Sequence, residues 1–119
     1  MVHQYHKRIV YLYYDGKLDE NDIEALDRLR RDITDSYAKG KITEQQFGEL
    51  KSEISILYEE IYNKKIDSLN SMSDENNRKK IMLNNVKNEI MDAYAKGKIT
   101  ESHYNLLNEK ILVLLSYHY

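Results

Sequence analysis

One eight-residue phrase recurs in this chain, and it constrains the fold to helical hairpins. It reads Tyr-Ala-Lys-Gly-Lys-Ile-Thr-Glu at residues 37–44 and, unchanged, at residues 94–101. A divergent form, Tyr13-Tyr14-Asp15-Gly16-Lys17-Leu18-Asp19-Glu20, lies near the start. A repeated supersecondary unit constrains architecture ahead of local propensity. With the glycine as origin, apolar residues stand fourteen, eleven, seven and three places upstream each time. They are Val2, Tyr5, Ile9 and Tyr13, then Leu26, Leu29, Ile33 and Tyr37, then Leu83, Val86, Ile90 and Tyr94. Steps of three and four line one helical face. Gly16, Gly40 and Gly97 are expected in the left-handed conformation that ends a helix, which is costly for a residue with a Cβ. Three places on, Asp19, Thr43 and Thr100 can cap the next helix through a side-chain oxygen. Gln46 completes a capping box with Thr43, whereas His103 does not fit one with Thr100. Leu18 with Ile23, Ile42 with Phe47 and Ile99 with Tyr104 form hydrophobic staples across the turns.

The pattern predicts an all-α chain of antiparallel helical hairpins, about five helices forming a small bundle, with oligomerisation as one way to complete it. The helices are expected over Val2 to Asp15, Glu20 to Lys39, Glu44 to about Asn70, Asp74 to Lys96 and Glu101 to His118. Residues 1–70 read as an up-down-up set of three helices built from two overlapping hairpins, and residues 71–119 as a hairpin repeating the second turn. The stretch from Ser68 to Asn77, rich in Ser, Asn and Asp, marks the boundary, with Ser71 or Ser73 placed to cap the fourth helix. No proline interrupts any of these segments. Tyr13, Tyr37 and Tyr94 fall on the seam, where each is expected to bury its ring and leave the hydroxyl to a partner at the turn.

The third and fifth helices begin alike, and their differences point to a contact surface. Ile54 matches Ile111 and Leu57 matches Leu114, but Ser55 becomes Leu112 and Ile56 becomes Val113. The run Ile111-Leu112-Val113-Leu114-Leu115 makes the fifth helix apolar on nearly every side, so every side needs cover. Two arrangements supply it: a central position within one chain, or a second chain or larger partner, with self-association favoured. The expected interface comprises Leu112, Val113, Leu115 and Tyr117. In the third helix the stripe of Phe47, Leu50, Ile54, Leu57 and Ile61 breaks at Lys64-Lys65 and drifts to Tyr58, Tyr62, Ile66 and Leu69. Tyr58 and Tyr62 therefore join the candidate interface, facing either the fourth helix or another subunit.

Reactive chemistry is scarce. Without cysteine the chain has no disulfide, thiolate ligand or thiol nucleophile. The turn from Tyr13 to Asp22 lacks the oxygen ligands that a calcium loop needs at its first and third positions. His3 and His6 have no nearby third ligand for zinc, and Glu59-Glu60 reads as a solvated face. No phosphate loop, nucleophile elbow or triad can be written. No catalytic, cofactor-binding or metal-binding residue is expected, and the chain reads as a non-enzyme. The alternative function is nucleic-acid binding through Arg28, Arg30, Arg31, Arg78, Lys79 and Lys80. It is opposed by a net charge of −2 and by Glu24 and Asp27, which precede Arg28 and Arg31 at the spacing of stabilising helix pairs. The longest apolar run is too short to span a bilayer, and residues 1–5 lack a signal-peptide core. A soluble cytoplasmic protein is the expectation.

The segment from Leu29 to Ile54, with Gly40-Lys41-Ile42-Thr43-Glu44 at its centre and Phe47 and Leu50-Lys51 beyond, resembles the short C-terminal domain family, SHOCT. Val86 to Ile111 is similar, with Tyr104 as its aromatic and Asn108 where lysine is usual. The resemblance implies a helical hairpin of the kind appended to larger proteins, serving association or regulation without catalysis. Here the unit occurs twice, after a divergent third turn, which departs from the single-copy pattern.

Overall fold

The computed structural model describes residues 2–14, 18, 20–71 and 78–118, without the side chains of residues 2, 14, 20, 117 and 118. Those residues form five α-helices: α1 Val2–Tyr14, α2 Ile23–Ala38, α3 Glu44–Asn70, α4 Arg78–Ala95 and α5 Glu101–His118. No strand occurs among them. The entry to α2 differs from expectation. Glu20–Asp22 is a single 3₁₀ turn, and α2 starts after Asp22, whose side chain makes no capping hydrogen bond. The predicted turn residues Gly16 and Asp19 lie outside the described residues, as do Ser73 and Asp74. Ser71 closes α3 instead of capping α4: its hydroxyl donates to the Ser68 carbonyl at 2.9 Å.

The two identical phrases fold identically. Gly40 and Gly97 have φ of 72° and 76°. After α2, Gly40 N–H donates to Tyr37 C=O at 3.0 Å and Lys41 N–H to Ser36 C=O at 2.9 Å. After α4, Gly97 donates to Tyr94 at 3.0 Å and Lys98 to Ala93 at 2.8 Å. This bond pair satisfies the last carbonyls of a helix and depends on a left-handed residue between the donors. Lys39 bridges Asp35 and Lys96 bridges Asp92, both at 3.0 Å. The following helices are capped as expected. Gln46 N–H donates to Thr43 Oγ1 at 3.1 Å and Thr43 N–H to Gln46 Oε1 at 2.9 Å. His103 N–H donates to Thr100 Oγ1 at 3.2 Å.

The seam tyrosines are not buried. Tyr13, Tyr37 and Tyr94 are exposed. Tyr37 stacks on Phe47 with ring centroids 4.4 Å apart, and Tyr94 on Tyr104 at 4.8 Å. The turn brings the two helices together at its mouth, so an aromatic three residues before the glycine meets one seven residues after it, at the solvent edge. Ile42 and Ile99 fill the buried place under each turn.

The chain divides into two compact units, Met1–Tyr58 and Glu59–Tyr119. The division falls within α3, not at the stretch after residue 70 where composition places it. The first unit holds α1, α2 and the first part of α3 around Tyr5, Ile9, Leu26, Leu29, Ile33, Leu50, Ile54 and Leu57, all buried. The Tyr5 hydroxyl lies 2.6 Å from Ser36 Oγ, Arg8 pairs with Asp32 at 3.1 Å, and His6 Nδ1 lies 3.1 Å from Glu53. The second unit holds the rest of α3, α4 and α5 around Tyr62, Ile66, Leu69, Leu83, Val86, Ile90, Leu107 and Ile111. Lys65 pairs with Glu89 at 2.9 Å, Glu59 with His103 at 3.0 Å, and Lys110 with Asp67 at 2.7 Å. The α4–α5 hairpin therefore closes on the second half of α3. The drift of the α3 stripe has this physical cause: its two halves serve different cores.

Residues 57 positions apart, the spacing of Gly40 and Gly97, do the same work in the two units. Tyr5 and Tyr62, Ile9 and Ile66, Leu26 and Leu83, Ile33 and Ile90, Leu50 and Leu107, and Ile54 and Ile111 are buried in pairs. The Arg8–Asp32 ion pair stands where Lys65–Glu89 stands.

Candidate interaction surface

The outward side of α5 carries exposed aliphatic side chains, as that of α4 does at Ile81 and Met91. Leu107 and Ile111 point into the core, and a helix repeat of 3.6 then turns their neighbours outward. Leu106 is 60% exposed, Leu112 45% and Val113 55%. Leu114 and Leu115 are half-buried. A central position for α5 within the chain, one of the two predicted arrangements, is therefore not adopted by its described residues. The corresponding residues of α3 are Glu49, Ser55 and Ile56, of which Ser55 is buried and Ile56 exposed. Leu106 extends the predicted patch by two turns and was missed because it lies outside the continuous apolar run. Its signal is the change from Glu49 to Leu106 at matching places in two otherwise similar helices.

Two residues assigned to the interface do not belong there. Tyr58 is fully buried, and its hydroxyl donates to the Asp27 carboxylate on α2. Tyr62 is buried too. Both face the chain's own cores because α3 is shared between units, so neither offers surface to a partner. The side chain of Tyr117 lies outside the described residues.

The basic residues separate by role. Arg28 and Arg31 are exposed on α2, and Arg30 is half-buried. The expected Asp27–Arg31 helix pair is not formed; Asp27 takes the Tyr58 hydroxyl. Arg78 and Lys80 are exposed at the start of α4, whereas Lys79 is buried with its ammonium 2.9 Å from the Asn70 carbonyl. There it satisfies an orphan acceptor at the negative end of α3, a structural task that withdraws it from nucleic acid.

The first unit carries shallow grooves on both sides of α1. One, of about 300 Å³, lies against α3 between Ile9, Val10, Tyr13, Ile56 and Leu57, with Glu53 at its edge. Another, of about 360 Å³, lies against α2 over Leu12, Ala25 and Leu29 beneath Tyr11 and Arg8. A third, of about 380 Å³, runs on from Arg8 and Ala25 to Arg28, Arg31 and Asp32. Arg8 was not singled out by sequence because it comes from α1, 20 positions before Arg28. No group of three or more His, Cys, Asp or Glu side chains suited to a metal occurs among the described residues. No described helix is long and apolar enough to cross a membrane. In comparisons with protein-family models, curated proteins and solved structures, nothing matches this chain.

Proposed function

We propose that this chain is a non-enzymatic helical interaction module made of two copies of one three-helix unit, and that it self-associates through the outward face of α5. The observation that carries the reading is the exposure of Leu106, Leu112 and Val113 on one helix. Leu106 and Val113, seven residues apart, form one apolar stripe, with Leu112 about 100° round the helix from it, and an interface would cover them. The two-copy reading sharpens it. At the matching places α3 has Glu49, the buried Ser55 and the exposed Ile56, so the first unit folds without leucine there. The leucines of α5 then serve something other than the hairpin. The SHOCT-like turn supports an association role by resemblance, and its duplication gives one chain two such hairpins.

Magnitudes limit the strength of the contact. Burying the exposed half of three such side chains contributes roughly 2–4 kcal/mol. A self-contact counts that gain from both chains, and ordering them offsets most of it. The expected dimer is therefore weak, with a Kd of about 1 mM. Sedimentation equilibrium of the full chain tests it. The weight-average mass should rise from monomer toward dimer as the concentration approaches that value, and Leu112→Glu should hold it at monomer with an unchanged circular dichroism spectrum. A monomer at every concentration, or a dimer that Leu112→Glu leaves intact, would exclude the proposal.

A further inference from the structure

We infer that the first unit binds an acidic peptide segment of a partner protein in the groove between α1 and α2, its carboxylates held by Arg8, Arg28 and Arg31. The two α2-side grooves adjoin at Arg8 and Ala25, which line both. These two halves of the site differ in chemistry. One half has an aliphatic floor of Leu12, Ala25 and Leu29, with Tyr11 71% exposed above it. The other half is rimmed by three guanidinium groups and a single carboxylate, Asp32. Asp32 pairs with Arg8 at 3.1 Å. Arg28 and Arg31 take part in no ion pair with a described residue. They lie one helical turn apart on the same face of α2, so their like charges repel unless an anion joins them. A guanidinium offers a planar fork of donors that fits a carboxylate with two bonds, and Arg8 keeps donors beyond the one it gives Asp32.

The occupant follows from charge and from the aliphatic half. A segment with two or three carboxylates and an adjoining aliphatic side chain complements both halves at once. A nucleic-acid strand, whose backbone carries only charge and polar sugar, would leave the aliphatic floor without a partner. The second unit supplies an internal control, a comparison that rests on the two-copy reading. Its residues at the places of Tyr11, Arg28 and Arg31 are Ser68, Asn85 and Asn88. The same three-helix arrangement forms around them, so the arginines of the first unit are not needed for folding.

The test uses the full chain and a short fluorescein-labelled peptide carrying Glu and Leu at helical spacing, read by fluorescence anisotropy. Binding should weaken as salt is raised. The double variant Arg28→Asn/Arg31→Asn should lose about tenfold or more in affinity, since each arginine contributes a charge-assisted contact. Its melting temperature should match the parent, which checks the two-copy reading separately from the groove. If it melts lower, that reading fails, and Arg28→Lys/Arg31→Lys then carries the binding test: charge is kept, the two-bond geometry is lost, and affinity should still fall several-fold. The proposal is overturned by no peptide binding at high micromolar concentration, by equal binding to parent and variant, by equal binding of a Lys-for-Glu peptide, or by tighter binding of single-stranded DNA through the same arginines.

Discussion

Gly40 sits at φ 72° with nothing within 4 Å of the position a Cβ would take. Any penalty for a side chain there is therefore one of backbone conformation alone, and Gly40→Ala should cost about 1–2 kcal/mol in chemical denaturation. Gly48 provides the contrast. It lies inside α3, also with open space around it. Ala at that site loses no contact and restricts only the unfolded chain, so Gly48→Ala should stabilise by about 0.5–1 kcal/mol. Equal effects of the two substitutions would contradict the assignment of Gly40 as the turn residue. The caps divide similarly. Thr43 both accepts from Gln46 and donates back to it, whereas Thr100 only accepts from His103, whose ring is engaged with Glu59. Thr43→Ala should cost about 1 kcal/mol and Thr100→Ala less. At this scale the turn chemistry was legible in the sequence, because glycine, threonine and glutamine at fixed offsets have few other uses. The aromatic stacks were not. A seam position predicts which face a ring lies on, but not whether the turn leaves that end of the face open to water.

Among the elements, α5 shows how steeply role changes along a helix. Leu107 is buried and Leu106 is exposed. Leu107→Ala should lose about 2–5 kcal/mol in thermal or urea unfolding. Leu106→Ala should stay within about 0.5 kcal/mol of the parent at concentrations where the chain is monomeric. A large loss at Leu106 under those conditions would mean that the chain itself covers this face. The match of Ile111 to Ile54 already placed Ile111 on the counterpart of the α3 stripe. Periodicity could not separate Tyr58 and Tyr62 of α3 from a partner-facing stripe. A drifting stripe announces that two surfaces are served, and only the fold shows that both belong to the same chain. Lys79 was illegible for a related reason: its role as an acceptor's partner at the end of α3 depends on a contact across the 72–77 stretch, which no local pattern encodes.

At the scale of the molecule, the division within α3 was concealed by composition. Ser, Asn and Asp cluster after residue 70 and imitate a domain boundary, whereas the core packing changes hands at Tyr58, in the middle of an unbroken helix. The signal that locates it is the match between residues 57 apart, which spans Tyr5 to Leu57 and reaches well beyond the eight-residue phrase. Reading the chain as two copies turns differences between the copies into functional leads: leucines where α3 has Glu49 and Ser55, arginines where α4 has Asn85 and Asn88. The first lead carries the central claim, that one chain meets another through α5. A dilution series followed by methyl-selective nuclear magnetic resonance tests that claim most directly. The account predicts concentration-dependent shifts at the methyls of Leu106, Leu112 and Val113, with those of Val10, Ile56 and Ile81 unmoved. Shifts at Val10 and Ile56 instead, or none anywhere, would contradict it.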